Sequence, residues 1–158
     1  MKLTSFTDYS LRVLIFLAAV PDRRATISEI AKAFDVSESH LMKVVHFLGQ
    51  QGWLNNVRGK GGGMELGMPT EHIVIGQVVR ATEGIATPAE CFGLEPDQCV
   101  ISKACRLRLV LRNAVDAFYQ VLDAYTLADL AQNKATLAVM LRIDSASSPQ
   151  GRIRSAVH

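Results

Sequence analysis

The sequence has no apolar run long enough to cross a bilayer. A membrane helix needs about 20 consecutive apolar residues, whereas the best candidate, Leu11–Val20, is far shorter and carries Arg12. That stretch also lacks a basic leader and a small-residue cleavage site, so it does not read as an export signal. No membrane partner is expected, and the expected location is the cytoplasm. Cysteine is scarce, with three residues in 158. In a reducing compartment a structural disulfide is not their expected use, and an odd number at short spacing leaves metal, redox or core roles. The formal net charge is only +2, which neither demands nor excludes a polyanionic partner. Catalytic sets are missing as well: no carboxylate pair, Ser/His/Asp set or phosphate loop stands out, and the chain does not read as an enzyme. The glycine-rich stretch 58–63 is not a nucleotide loop, because no Ser or Thr follows Lys60 in the required pattern. No internal repeat is present.

What is there reads as one domain with an appended element. Apolar residues make up 49% of the chain, enough to bury a core at this length. Charge is unevenly placed. Residues 1–60 hold eight Lys/Arg against five Asp/Glu, residues 81–100 hold four acids and no base, and residues 101–112 hold four bases and no acid. Such asymmetry points to an interaction surface.

Periodicity predicts a mainly α-helical chain. A first helix runs from Phe6 to Val20 with Leu11, Leu14, Ile15 and Ala18 on one face, Thr7 as its cap and Asp8 in its first turn. Thr26-Ile27-Ser28-Glu29 is a capping-box pattern that opens a second helix to Phe34. After a short turn, Ser37 caps a third helix that reaches about Gln51 and stops at Gly52. Trp53–Val57 and Met64–Leu66 read as two strands, followed by a short helix over Ile73–Thr82. From Lys103 a long amphipathic helix carries Leu107, Val110, Leu111, Ala114, Phe118, Leu122 and Tyr125 in one stripe, and Thr126–Asp129 opens a last helix to about Leu141.

Two short helices, a tight turn and a following hairpin form a winged helix-turn-helix. Leu41, Val44, Val45 and Leu48 predict the buried stripe of the third helix. Ser39, Lys43, His46 and Gln50 then point outward, with His40 and Met42 beside them. Duplex DNA admits such a helix into its major groove, where Ser37, Ser39, His40, Lys43 and His46 would meet base edges and phosphates. Arg58 and Lys60 at the wing would reach the minor groove and backbone, while Gly61 and Gly62 allow close main-chain approach. The competing use of this shape is a protein-interaction module.

The cysteines are spaced C-x7-C-x5-C, which matches no common zinc pattern. Two readings stand at this point: small apolar side chains in a loop, or soft thiolates that favour an iron–sulfur cluster. If Ser102 caps the long helix, Cys105 falls in its first turn, where the dipole favours the thiolate. The long helix itself needs somewhere to bury its stripe, and a symmetric dimer supplies it. That dimer would set two reading helices about 34–36 Å apart, as a palindromic operator requires.

With these residues in view, the chain resembles the NsrR/IscR family of iron–sulfur winged-helix transcription regulators, its nitric-oxide-sensing branch most of all. The carriers are Met1–Tyr9, Val57–Gly63, the three cysteines before a long helix, and Tyr125–Leu130 after it. The resemblance implies a homodimeric repressor of double-stranded DNA that responds to nitric oxide. It implies a cluster, [4Fe–4S] with [2Fe–2S] as the alternative, held by Cys91, Cys99 and Cys105. The implied fourth ligand is an aspartate of the other subunit, at the position of Asp8 here; that residue would equally serve as a complement to the helix dipole. In the IscR branch the fourth ligand is a histidine three residues after the last cysteine, where this chain has Arg108, which does not ligate while charged. The first cysteine gap is longer than the family's usual one, and two extra loop residues cost little chain entropy. A regulator that uses its cysteines directly as thiol redox sensors is the nearest alternative. The expected organisation is a DNA-binding domain over 1–82, a cluster-binding loop over 83–102, the dimerisation helix with a short helix after it over 103–141, and a disordered tail over 142–158.

Overall fold

A computed structural model describes residues 2–21, 23–59, 61–84 and 104–143, together with the single positions 89, 92, 99 and 101. The expected disorder of the tail after Ile143 and most of the predicted cysteine loop lie outside these residues. The first helix, α1 (Ser5–Ala19), forms the middle of the fold. Its N-cap is Thr4, not the predicted Thr7: the Thr4 hydroxyl accepts from the Thr7 backbone N–H at 3.3 Å. Thr7 is fully buried and donates to the Thr82 hydroxyl at 2.9 Å. The buried face is also rotated from the predicted one, since Leu11 and Ile15 are half-buried while Val13, Phe16 and Leu17 join Leu14 and Ala18 inside. A helix packed on several sides buries more than one stripe, which a single-face reading misses.

Helix α2 (Ile27–Phe34) opens on the predicted capping box. The Glu29 N–H donates to the Thr26 hydroxyl at 3.2 Å, and the Thr26 N–H donates to the Glu29 carboxylate at 2.7 Å. Burial pushes the Glu29 carboxyl up, but hydrogen bonds from the Thr26 backbone and from Arg23 and Thr26 side chains outweigh it and hold it below its ordinary value. Asp35, in the left-handed region at φ 53°, ends the helix and turns the chain into α3 (Glu38–Gln50). Gly52, at φ 77°, turns it again into β1 (Leu54–Val57), which pairs antiparallel with β2 (Gly63–Leu66), Leu54 opposite Leu66 and Val57 opposite Gly63. A single bridge from Ala25 to Met64 ties this hairpin to the segment before α2.

A short 3-10 turn, Thr70–His72, precedes α4 (Ile75–Glu83), so the predicted helix start at Ile73 is two residues early. The long helix, α5, spans Arg106–Asp123. The predicted last helix is two pieces, α6 (Leu127–Leu130) and α7 (Lys134–Met140). The architecture is mainly α with a two-stranded wing, as expected from the sequence. No helix among the described residues is long and apolar enough to cross a membrane.

Candidate nucleic-acid interface and cysteine site

Helix α3 packs through Leu41, Val44, Val45 and Leu48, all buried. Four positions on the opposite face, Ser39, Lys43, His46 and Gln50, are exposed, and so are Ser37, His40 and Met42. Ser37 does occupy the N-cap position, but its hydroxyl lies 3.3 Å from that of Ser39 and caps no backbone N–H. Helix N–H groups left without side-chain caps suit a phosphate.

His40 is braced from beneath. Its ring stacks on Tyr9 with centroids 6.3 Å apart and planes 23° from parallel. The Arg12 guanidinium lies 5.9 Å from the centre of the Tyr9 ring and 5.6 Å from that of Phe34. Arg12 also grips Asp8 twice, Nε to Oδ1 at 3.1 Å and Nη2 to Oδ2 at 2.8 Å. A continuous set of contacts, Asp8–Arg12–Tyr9–His40, thus runs from the first turn of α1 to the outer face of α3. Tyr9 and Arg12 were not among the site residues expected from sequence. The four-residue step from Asp8 to Arg12 was the available signal for the ion pair; nothing in the sequence marks the ring stack, which joins two helices.

At the wing, Arg58 is exposed and the tip is closed by a hydrogen bond from the Gly62 N–H to the Gly59 carbonyl at 2.9 Å. Gly59 and Gly61 have φ of 95° and 79°, values that favour glycine. A Cβ on Gly62 would run into the Val57 carbonyl. Lys60 lies outside the described residues. The described reading elements therefore present Lys43 and Arg58 on neighbouring parts of one unit, with His40 and His46 on the same helix as Lys43.

Of the three cysteines, Cys91 lies outside the described residues, Cys99 is exposed and Cys105 is half-buried. Cys105 is itself the N-cap residue of α5; the expectation that it sits in the first turn behind Ser102 is corrected, because the helix begins at Arg106. No side chain caps that end and no acid stands in its first turn, so its partial positive charge is left for whatever anion or ligand meets it. Soft thiols at a positive helix end are a donor set suited to an iron–sulfur group. Arg108 lies 5.9 Å from the centre of the Phe92 ring, next to Cys91 in the chain. Within the described residues of one chain, Asp8 is not gathered with Cys99 and Cys105 into a ligand cluster.

The end of α4 is fastened to the start of α1. Glu83 accepts from the Thr4 N–H at 2.7 Å and the Thr4 hydroxyl at 3.0 Å. Burial pushes the Glu83 carboxyl up, but hydrogen bonds from Thr7 and Thr4 prevail and lower it. This contact places the last residue of α4 before the cysteine segment against the helix that bears Asp8.

A helix-turn-helix with an exposed polar second helix and a basic wing defines a winged-helix regulator of transcription. The chain belongs to the Rrf2 family of iron-dependent transcriptional regulators, whose sequence profile matches residues 3–133. It is 50% identical over 144 residues to the HTH-type transcriptional regulator NsrR of Bacillus subtilis (strain 168), covering 90% of this chain and 99% of that one. It is 47% identical over 143 residues to NsrR of Geobacillus kaustophilus (strain HTA426), covering 90% and 97%. Among solved structures, CymR, the global cysteine regulator of B. subtilis, superposes with a TM-score of 0.65 at 30% identity, over 84% of this chain and 97% of that one. The chain is accordingly a transcription regulator and not an enzyme.

Proposed function

We propose that this protein is a homodimeric transcriptional repressor that reads a palindromic duplex through α3 and the wing and senses nitric oxide through an iron–sulfur cluster. Cys91, Cys99 and Cys105 of one subunit hold the cluster together with Asp8 of the partner subunit, and the resemblance points to [4Fe–4S]. The observation that carries this reading is the run of contacts from Asp8 through Arg12 and Tyr9 to His40, because it joins a ligand position to the base-reading face. The choice of signal rests on the resemblance to the nitric-oxide-sensing branch, and relatives 50 and 47% identical over about 90% of this chain are transcriptional regulators named NsrR.

The bound cluster supplies reactivity towards nitric oxide; the rest is the work of the chain's own side chains. Arg12 holds the Asp8 carboxylate when no other partner claims it. Committing Asp8 elsewhere frees the guanidinium that lies against Tyr9 and Phe34, and the ring under His40 loses its lateral support. Two arrangements of one helix pair, biased by one carboxylate, make a switch. Dimerisation rests on α5. Val115, Phe118, Tyr119 and Leu122 face the protein's own body, while Leu107, Val110 and Val121 are 61, 59 and 60% exposed. The predicted single stripe is thus two adjacent ones, and the outer one seats the second copy.

The deciding experiment is an anaerobic absorption spectrum with iron and sulfide analysis, then titration with nitric oxide while DNA binding is followed. A brown chromophore bleached in step with lost binding is the expected result. A colourless protein that binds DNA unchanged after reconstitution overturns the cluster reading. It would favour direct thiol sensing, the reading to which the exposure of Cys99 lends weight.

A further inference from the structure

Beside the packing of Val115, Phe118, Tyr119 and Leu122, polar contacts among the described residues join α5 to the reading head in two places. The first is main chain: the Ile75 N–H donates to the Tyr125 carbonyl at 2.9 Å, and the Leu127 N–H donates to the Ile73 carbonyl at 2.8 Å. The second is a clamp of side chains. Arg80 of α4 donates twice to Asp123 of α5, Nη1 to Oδ1 and Nη2 to Oδ2, both at 2.6 Å. Its guanidinium lies 4.4 Å from the centre of the Tyr119 ring. Opposite Asp123 is Gly76, where any Cβ would run into the aspartate side chain.

One fastening makes a pivot, and a second fixes the angle about it. Arg80 follows Ile75 by five residues, so at 1.5 Å per residue the fastenings stand about 7.5 Å apart along α4. Stability is a poor reason for the clamp, because Arg80 and Asp123 are 43 and 40% exposed and solvated ion pairs contribute little. Direction is a better one: a guanidinium held bidentately and stacked on a ring has one orientation.

We propose that Arg80 and Asp123, with Gly76 making room for them, set the angle of the reading head on α5 and thereby determine which half-site spacing the dimer accepts. This rests on the reading that α5 dimerises and α3 enters the major groove. In such a dimer the two α3 helices must meet successive turns of the duplex, about 34 Å apart. A small rotation at the α4–α5 joint is magnified at α3, which lies on the far side of α1 from that joint in the packing order.

The test uses the full-length chain and a duplex selected from a random library by the wild type, remade with its half-sites one base pair closer and one further apart, plus a single half-site. The wild type is expected to prefer its selected spacing by at least about tenfold. Arg80→Gln, Asp123→Asn and Gly76→Ala are each expected to compress that preference to less than about threefold, with the dimer and half-site affinity retained. Because the three substitutions reach the clamp by different routes, failure of one to fold leaves the others decisive. Full spacing discrimination in the folded variants overturns the proposal. So does parallel loss of dimer or half-site binding in all three, which would make the clamp merely structural. A wild type that binds its duplex without preferring any spacing overturns the proposal alone, whereas one that selects no duplex overturns the reading beneath it.

Discussion

Asp8 accepts a hydrogen bond from Arg12 Nε and lies 2.8 Å from its Nη2 in this fold, so its replacement acts on the ion pair and on any metal it serves. The two effects separate by magnitude. The pair is 40 and 44% exposed, and such pairs contribute about 0–1 kcal/mol, so Asp8→Ala is expected to lower the melting temperature only slightly. Its effect on cluster retention or nitric-oxide response is expected to be large, and unchanged iron content and response would remove Asp8 from the site. The Thr26–Glu29 capping box allows a cleaner stability forecast. Thr26→Ala removes the hydroxyl that caps α2 and is expected to cost about 0.5–2 kcal/mol in thermal unfolding. The Glu29 carboxyl is lowered in the fold, so its contribution is complete above the unfolded value, about 4.3, and fades as pH falls through the folded value. The stability gap between wild type and Glu29→Gln should therefore be widest near neutral pH and close in acid, as melts from neutrality downward would reveal. At the reading face, Lys43→Ala and Arg58→Ala are each expected to weaken duplex binding. Unaltered affinity in both at physiological salt would refute the docking of α3 and the wing.

The elements were readable from sequence where local rules act alone. The α2 capping box, the Ser37 position, the turn at Gly52 and the glycine wing are all short-range signals, and each stands where periodicity and turn chemistry put it. Misses arose where tertiary packing decides. Thr4 rather than Thr7 caps α1 because Thr7 is drawn inward to Thr82, a partner 75 residues away. The α5 stripe was read as one because helical spacing alone does not say which apolar residues face the chain's own body. Of the candidate site, the exposed face of α3 was legible from the phase of Leu41, Val44, Val45 and Leu48. The support of Arg12 and Tyr9 for His40 was not, since it joins α1 to α3. The outer stripe of α5 carries its own expectation. Val110→Glu places a charge on an exposed apolar position, so in the monomer it removes no core contact. It is expected to leave the helical content intact while shifting sedimentation from dimer to monomer, and a persistent dimer would move the interface elsewhere.

On the scale of the assembled protein, the two halves of the reading meet in one measurable quantity, the dependence of binding on salt. Each phosphate neutralised by Lys or Arg releases counterions, and log affinity falls with log salt at a slope of about −0.9 per phosphate contact. The low formal charge of +2 means that the slope must come from local placement, with Lys43 and Arg58 exposed on the docking elements of each head, and not from a general attraction between protein and DNA. A dimer engages both heads and adds their contacts. The Val110→Glu monomer engages one, so its slope is expected to be about half that of the wild type on the same duplex. Lys43→Ala should lower the wild-type slope by roughly two units, one for each subunit, and the monomer's by roughly one. Equal slopes for dimer and monomer would mean that only one head touches DNA at a time. The symmetric operator would then have to be abandoned even if α3 and the wing are the reading elements.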